Sequence, residues 1–497
     1  MPLFGLVVVA ASIYWVWPAL PFQDLPGHAG MIALRQRIDT SAFDQTYFVH
    51  APRLGPYSVF RALGSLFASV LGPLGAVRLL ATLPMFALPA SVLFSRRLLF
   101  GSTGPAQGYL AVLLSFGFMT IYGFASYNLA IAVLVLAVSV HVALLESTKV
   151  EERSRLRIFV ALLSVTLYLS HGFAFCAALL AVFAASIVGG REALFLRLRS
   201  LLLWLPGIVV FAYSTLVERF GSLPADAKIP YVNPVPYYDG VLGKLSLLLT
   251  PTLMTRTGVD VVFGIILWIA LATAVIRARR TLSGIARRTL AGVLALFSVF
   301  CILPHGIGWF GFIDGRLAPL LLLLPIVALG DDAWPRWFLR WVAPTLGIAA
   351  TLYAHVCTFR FQAEAAGHRE VLQAVPAKAR LLSLMVNPDS KVFTTSPFTH
   401  YDKLVLVDRE CVPSAMWFHQ GTALYPTAKN PVLNLPVDYH EADIGHVDWT
   451  KFRLEDWDYV FMRRLPEFGP PEVPPSLTTV SQSGSFWLFR VNNHAAL

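Results

Sequence analysis

Charged residues are scarce in this sequence. They make up 14% of its 497 residues, whereas apolar residues make up 56%. A soluble domain averages about 25% charged residues, so the composition excludes an ordinary soluble protein and indicates a membrane protein. Acidic residues are fewer than basic ones, 29 against 39, which gives a formal net charge of +10. The basic residues form short clusters between apolar runs and no continuous face, a pattern that argues against a nucleic-acid partner.

Cysteine is also rare, and the spacing of the cysteines does not match a metal site. The four cysteines are Cys176, Cys301, Cys357 and Cys411. Three of them lie in or beside apolar segments, where a buried thiol is the expected state. The sequence leaves a disulfide between Cys357 and Cys411 open, but no other feature supports it.

The apolar start of the chain lacks the features of a cleaved signal peptide. Residues 3–20 have no basic start, and Trp15 and Trp17 stand where a cleavage site needs small residues. We therefore expect a retained membrane span here, the first of about eleven apolar segments that approach the twenty residues needed to cross a bilayer. These segments are 3–20, 76–95, 107–123, 126–145, 157–171, 173–189, 200–217, 260–277, 289–304, 316–330 and 338–358.

Basic clusters give the predicted spans a direction, because basic loops mark the cytoplasmic side. The clusters at 96–97, 149–157, 191–199, 277–288 and 336–340 all fall on one side of this layout. We therefore predict a multi-pass protein of the inner (plasma) membrane with a cytoplasmic N-terminus. Residues 55–73 are also apolar enough to span, but counting them would reverse every later basic loop. They are predicted to form an amphipathic helix in the membrane interface.

The composition changes after Arg360, where charged residues return. Apolar runs shorten to strand length after a helical pattern across 362–386, which predicts a small α/β domain. The predicted strands are 391–396, 403–408, 458–463 and 485–491. The predicted fold is thus an α-helical polytopic membrane domain over residues 1–358, with about 11 transmembrane helices, followed by a soluble extracytoplasmic α/β domain over 359–497.

The first external loop, 21–75, carries the first candidate site. In "QDLPGHAG", Asp24 and His28 are four residues apart, with Pro26 and Gly27 between them. A carboxylate and an imidazole at this spacing can converge on one pocket. There the carboxylate would act as general base toward a hydroxyl group, and the imidazole would orient it or bind substrate. A helix cap or a solvated loop charge is the alternative for Asp24.

This loop and the segment after it resemble a known family. "QDLPGHAGMIALRQRI", followed by "GPYSVFRALGSLFASVLGPLGAVRLLATLPMFALPASVLFSRRLLFG", is similar to the opening of GT-C-fold glycosyltransferases, integral membrane enzymes that include protein mannosyltransferases and the aminoarabinose transferases of lipid A. The similarity covers about the first third of the chain and continues loosely to the tail. It implies a GT-C fold, a polyprenyl-phosphate-linked sugar donor, and Asp24 at the position of the family's essential acid. No second acid stands beside Asp24, which argues against a metal-dependent, two-carboxylate variant, and no cofactor is implied.

Two further predicted external turns carry candidate substrate-binding residues. Asn128 follows the turn in "YGFASYNLA", where it either caps the next helix or hydrogen-bonds a substrate. His171, in "YLSHGFAF", lies at the end of a span. An ionisable group in this position either is merely interfacial or contacts the carrier phosphate.

A late external turn, "PHGIGWFGFIDGRLAPLL", adds His305, Asp314 and Arg316. An arginine that enters an apolar helix is costly unless an anion meets it, and its guanidinium matches a phosphate bidentately. We therefore expect Arg316 to bind the carrier phosphate. A snorkelled side chain or an ion pair with Asp314 is the alternative.

Two other segments give weaker signals. The second external loop, 218–259, has the prolines and tyrosines of a mobile lid or of an ordinary loop. Its charged residues Asp239, Lys228, Lys244 and Arg256 are lesser candidates. In the tail, "YHEADIGHVD" groups His440, Glu441, Asp443, His446 and Asp448. This group lacks helix-spaced metal ligands, so a divalent metal is not indicated.

Together these features predict a membrane glycosyltransferase. It would move a sugar from a polyprenyl-phosphate carrier to a lipid, glycan or protein acceptor by an inverting single displacement. Asp24 would accept the acceptor proton, and Arg316, with His171 or His305, would stabilise the departing phosphate. The alternatives are a transporter or flippase of lipid-linked sugars, another non-catalytic membrane protein, or an oligosaccharide ligase or polymerase. Ionisable residues at span ends and the lack of an internal repeat argue against a transporter.

Overall fold

The computed structural model of the protein describes residues 2–189, 193–221, 224–228, 235–308, 310–414, 416–418, 422–436, 439 and 447–492. Helices dominate the chain up to residue 364. They are α1 (Pro2–Val16), α2 (Leu25–Arg37), α3 (Ala42–Tyr47), α4 (Ser58–Phe100), α5 (Pro105–Ser115), α6 (Phe118–Ile121), α7 (Ala125–Glu146), α8 (Val150–Ser170), α9 (Gly172–Ile187), α10 (Leu194–Arg199), α11 (Leu205–Phe220), α12 (Val241–Leu249), α13 (Val259–Ala278), α14 (Gly284–Ile302), α15 (Ala318–Ala328) and α16 (Ala343–Glu364).

Several of these helices have the length and composition of membrane spans. Within the described residues, 6 helical segments are long and apolar enough to cross a membrane: Ser58–Phe100, Ala125–Glu146, Leu194–Phe220, Val259–Ala278, Gly284–Ile302 and Phe338–Glu364. Large apolar side chains on them are open to the surroundings, such as Val70 at 82% and Ile269 at 62% exposure, as expected for surfaces that meet lipid. The protein is therefore a helical membrane protein, while the predicted number of eleven spans is not confirmed.

Helix α4 combines the segment predicted to lie in the interface with the span after it. It is interrupted at Gly72, whose φ of 70° and ψ of 169° lie outside the helical region. A positive φ is costly for residues with a Cβ, so glycine suits this break, and Pro73 follows it. The predicted helix over 55–73 is thus present as the first part of α4, and its depth in the lipid stays a prediction.

Two arginines of the predicted cytoplasmic loops are buried in the helix bundle. Arg96 donates a hydrogen bond to the carbonyl of Leu329 after α15 (2.8 Å) and pairs with Asp331 (2.6 Å). Arg288 donates to the carbonyl of Val188 after α9 (2.8 Å). These contacts satisfy carbonyl groups that the end of a helix leaves without partners. The two arginines are therefore structural residues, and their role as signals of orientation stays a prediction.

The C-terminal part adds α17 (His368–Gln373), α18 (Leu404–Asp408) and most of the strands. The strands are β1 (Phe48–His50), β2 (Pro236–Tyr237), β3 (Gly306–Ile307), β4 (Arg380–Met385), β5 (Val412–Pro413), β6 (Leu424–Pro426), β7 (Tyr459–Arg463), β8 (Leu477–Ser483) and β9 (Phe486–Val491). A sheet with the order β5-β4-β7-β9-β8 has β4 parallel to β5 and β7 and its other pairs antiparallel. Two antiparallel pairs, β1–β6 and β2–β3, lie outside it.

Two of the four strands predicted for the tail are present in the structure. The strands at 458–463 and 485–491 are confirmed as β7 and β9. The strand at 403–408 is wrong, because this run forms α18 and buries Leu406 beside α2, and packing of this kind overrides strand propensity. The segment 391–396 forms an isolated bridge at Phe393.

The helix predicted over 362–386 and the disulfide left open by the sequence also differ from the structure. The helical pattern ends with α17, and residues 380–385 form the buried strand β4 instead. A central strand buried on both faces reads as a continuous apolar run, which sequence periodicity does not separate from a helix. Cys357 and Cys411 are both free thiols.

The C-terminal sheet packs directly on the helices. Alternate residues of β4 point to opposite faces, so Leu381 joins the core of the helix bundle whereas Leu382 joins a second core on the other face. A third cluster joins Met31 and Leu34 of α2 to Leu406 of α18. This contact brings the first loop against the C-terminal part. The domain boundary at 358–359 stays a prediction.

Candidate functional site

Asp24 lies immediately before α2, against the turn that follows α6. Its backbone N–H donates to the carbonyl of Tyr122 (3.0 Å). Gly123, which follows Tyr122, has a φ of 81°, and a Cβ there would lie 2.8 Å from the Asp24 nitrogen. Only glycine fits this conformation and this close approach. Asp24 occupies the N-cap position of α2, as the helix-cap alternative predicts, but its side chain makes no capping hydrogen bond.

The Asp24 carboxylate contacts an imidazole that the sequence analysis did not select. His400 Nε2 lies 3.3 Å from Asp24 Oδ1, and the two side chains are only 10% and 14% exposed. His28, the predicted partner, packs its ring against Phe60 and Trp417, with centroid distances of 4.8 and 5.1 Å. His400 is distant in sequence and lies in an undistinguished stretch, so no local signal marked it.

Arg316 lies in the short 3-10 turn Gly315–Leu317 before α15 and is 5% exposed. Its guanidinium lies over the rings of Phe310 (4.1 Å) and Phe124 (4.9 Å). No carboxylate among the described residues is within ion-pair distance of it, and its Nε has no hydrogen-bond partner there. The alternatives of a snorkelled side chain and of an ion pair with Asp314 are therefore wrong. A buried charge without a counter-ion is costly, so this position favours an anionic ligand.

His171 contacts both Arg316 and Tyr57. His171 Nε2, between α8 and α9, lies 3.4 Å from Arg316 Nη1 and 3.4 Å from the Tyr57 hydroxyl. Burial raises the pKa of the Tyr57 hydroxyl, Arg316 lowers it by its charge and a hydrogen bond, and the charge of Asp24 raises it. Arg316 also lies over Phe124, two residues after Tyr122, whose carbonyl accepts the Asp24 N–H. These contacts place the predicted Asp24, His171 and Arg316 in one neighbourhood.

Sequence reasoning did not select Tyr57 as a functional residue. Tyr57 has a φ of 68°, a left-handed conformation that non-glycine residues rarely adopt. Strain of this kind is concentrated at functional sites, where the surrounding structure enforces it. The only signal in the sequence is the Gly55-Pro56 pair that precedes it and sharpens the turn.

Asn128 lies beside this site but does not cap α7. The N-cap of α7 is Phe124, and Asn128 falls within its first turn. Asn128 lines a small cavity of about 10 Å³ together with Gly123 and Leu25, which flank Asp24. The helix-capping alternative is therefore wrong, and a contact with a substrate stays a prediction.

His305 and Asp314 form a separate charged cluster. His305 Nδ1 lies 3.0 Å from Asp314 Oδ1 and 2.9 Å from Asp239 Oδ2, and Lys244 Nζ lies 2.7 Å from Asp314 Oδ2. Burial by itself raises the pKa of the Asp314 carboxyl, but hydrogen bonds from His305, Lys244 and the Gly315 backbone hold it below its ordinary value. His305 is therefore held by the carboxylates of Asp239 and Asp314.

The same cluster fixes part of the second external loop and offers metal ligands. In the described residues of 218–259, Pro236 and Tyr237 pair with β3, next to His305. The ligand atoms of Asp239, His305 and Asp314 lie within 4.8 Å of one another, a donor set that suits a divalent cation. The Lys244 ammonium competes for Asp314. Of the tail group that the sequence singled out, only Asp448 lies within the described residues.

The two other basic candidates of this loop, Arg256 and Lys228, have structural contacts. Arg256 Nε donates to the carbonyl of Ser390 (2.7 Å), and the backbone N–H of Lys228 donates to the carbonyl of Pro426 (2.8 Å). Both contacts join the loop to the C-terminal part of the chain. They give these residues a role in holding the two parts together.

Comparison with known proteins identifies the fold. No family model and no curated protein matches the sequence. Among solved structures, the chain is similar to the crystal structure of ArnT from Cupriavidus metallidurans in the apo state, with a TM-score of 0.55 and 12% identity over 99% of this chain and 98% of that one. It is also similar to the cryo-EM structure of the arabinofuranosyltransferase AftD from Mycobacteria, with a TM-score of 0.47 and 12% identity over 99% of this chain and 40% of that one. The likeness to ArnT, a GT-C-fold protein, confirms the fold that the sequence resemblance implied.

Proposed function

We propose that the protein is a membrane glycosyltransferase that transfers a sugar from a polyprenyl-phosphate carrier to an acceptor hydroxyl outside the cytoplasm. The observation that carries this proposal is the buried guanidinium of Arg316, which has no carboxylate partner among the described residues and lies over Phe124, in the same turn that holds the backbone of Asp24. A fixed cation suits a phosphate leaving group, and a nearby carboxylate suits a hydroxyl proton. The fold of ArnT, an aminoarabinose transferase, supports the same activity.

The reaction is a single displacement with inversion. The acceptor oxygen attacks the anomeric carbon, its proton passes to Asp24, and the bond from that carbon to the carrier phosphate breaks. Attack opposite the leaving group inverts the anomeric configuration. Charge grows on the departing phosphate, where Arg316 and the Tyr57 hydroxyl stabilise it, so their interactions strengthen toward the transition state. His171 acts by positioning Arg316 and Tyr57.

Transfer by the purified full-length protein in lipid nanodiscs tests this proposal. A panel of radiolabelled polyprenyl-phosphate-sugars, with cell-envelope lipid extract as the acceptor source, gives two readouts: release of polyprenyl phosphate and a new glycosidic bond. Asp24→Asn is expected to lower transfer by about 10²–10⁴-fold, because it removes the general base. Arg316→Gln is expected to lower it by about 10²–10³-fold.

Asp39→Asn is the matched control, because Asp39 lies in the same loop and its side chain is 81% exposed. It should leave transfer within about twofold of the wild type, as exposed substitutions rarely perturb a site. Full transfer by Asp24→Asn would remove Asp24 from the mechanism. In proteoliposomes, movement of the lipid-linked sugar across the membrane without a new glycosidic bond would favour a flippase.

A further inference from the structure

A cavity of about 60 Å³ lies beside Asp24, where α2 faces the C-terminal part of the chain. It is lined by Gly27, Met31, His400, Lys403, Leu406, Met416 and Trp417. Asp24, Gly27 and Met31 recur at spacings of three and four, so they share one face of the helix. The cavity wall therefore continues to the Asp24 carboxylate. This volume holds about two water molecules, or the edge of one small ring.

Trp417 gives this cavity a rigid aromatic wall. Its ring contacts the imidazoles of His28 (centroid distance 5.1 Å) and His400 (4.9 Å). A Cβ on Gly27 would lie only 2.6 Å from the Trp417 ring, so the indole packs directly on the backbone of α2. An indole fixed in this way offers a flat apolar surface with no loss of side-chain freedom on binding. The C–H face of a sugar ring is complementary to such a surface.

The polar groups of the cavity suit a neutral hydroxyl-bearing ligand. His400 lines the cavity and also lies 3.3 Å from Asp24 Oδ1, so a hydroxyl group that hydrogen-bonds His400 there lies next to the Asp24 carboxylate. The Lys403 ammonium lies 2.9 Å from both carboxylate oxygens of Asp402, which balances its charge. The residues that line the cavity therefore give it little preference for an anionic ligand.

We propose that this cavity is the acceptor subsite and that it takes the edge of a neutral sugar ring, with Trp417 as the stacking surface and His400 as the hydrogen-bonding group. The inference rests on the proposed function and deepens it, because it assigns the acceptor to the glycans and glycolipids. It also gives the C-terminal part of the chain a direct place in the reaction, since it supplies both residues.

Binding of a panel of methyl hexopyranosides, measured by saturation-transfer NMR on the full-length protein in nanodiscs without donor, tests this assignment. Wild type and Trp417→Phe, which keeps an aromatic surface, are expected to bind. Trp417→Ala and His400→Gln should weaken binding at least tenfold. Trp487→Ala is the matched control, because Trp487 lies on β9 and packs against the core on the far face of the sheet. It should bind as the wild type does.

The outcomes separate this inference from the proposed function. A wild type that binds none of the glycosides, or a Trp417→Ala variant that binds them as the wild type does, overturns the acceptor subsite. Equal loss in Trp417→Ala and Trp487→Ala also overturns it, because the effect is then one of folding. Since no donor is present, a protein that binds glycosides but turns over no polyprenyl-phosphate-sugar loses the proposed function and keeps the sugar-binding cavity.

Discussion

The position of the Asp24 carboxylate depends on a single glycine. Gly123 combines a φ of 81° with a backbone approach that leaves no room for a Cβ beside the Asp24 nitrogen. We expect Gly123→Ala to displace Asp24 and to lower transfer at least tenfold, because a shift of about 1 Å in a catalytic group is costly. The measurement is the initial rate of polyprenyl phosphate release together with the melting temperature.

Gly101→Ala is the matched control for this substitution. Gly101 has a φ of 73°, but a Cβ there meets open space. Both variants therefore carry a conformational cost of about 1–2 kcal/mol, and only Gly123→Ala disturbs Asp24. Equal transfer rates in the two variants would contradict this role of Gly123.

At the scale of whole helices, buried arginines hold the ends opposite the site. Arg288 on α14 donates to the carbonyls of Ala185 (3.0 Å) and Val188 (2.8 Å) at the end of α9 and pairs with Glu146 at the end of α7 (2.6 Å). One side chain thus ties three helices together. The C-terminal end of a helix carries partial negative charge, so a cation at this end is favourable.

We expect Arg288→Ala to lower the melting temperature in detergent by about 5 °C or more, because it leaves carbonyls and Glu146 without their partner. Arg287→Ala is the matched control, since the neighbouring Arg287 is exposed. It should melt within about a degree or two of the wild type. An unchanged melting temperature in Arg288→Ala would show that water replaces these contacts at little cost.

At the scale of the molecule, the C-terminal part docks on the first loop. The Tyr401 hydroxyl donates to the carbonyl of Leu20 (2.8 Å), and β6 pairs with β1. His368 is 6% exposed within this junction, with its ring against those of Tyr401 (4.9 Å) and Phe486 (6.0 Å). The junction therefore contains a titratable group that has little access to water.

This burial makes the stability of the junction depend on pH. Burial lowers the pKa of the His368 imidazole to about 4, against about 6.5 in the unfolded chain. The unfolded state thus binds more protons between these values. The free energy of unfolding therefore has its full value above about pH 6.5. It falls by on the order of 3 kcal/mol as the pH drops toward 4.

Thermal melting between pH 7 and pH 4 measures this dependence. His368→Phe fills a similar volume without a titrating group, so we expect its melting temperature to fall less over this range than that of the wild type. Parallel pH profiles for the two proteins would assign the acid sensitivity to other groups.

The sequence by itself determined the class of the protein and singled out two residues of its candidate site. Scarce charge and long apolar runs identify a membrane protein because each span must cross the same lipid thickness. Asp24 and Arg316 stand out because each is an ionisable group beside an apolar segment. An ionisable group is energetically costly there, so its presence indicates a function. The local pattern also fixed β7 and β9, whose alternating side chains face two cores.

Only the tertiary structure decided which groups meet. His400 and Trp417 lie far from Asp24 along the chain, and they reach it because Leu406 and its neighbours dock on α2. The same docking explains why the run 403–408, which has strand propensity, forms helix α18. Arg316 lacks a carboxylate among the described residues because Lys244 and His305 hold Asp314, a preference that no spacing in the sequence reveals. Local patterns report how each segment meets water or lipid, whereas contacts between distant segments depend on how the whole chain packs.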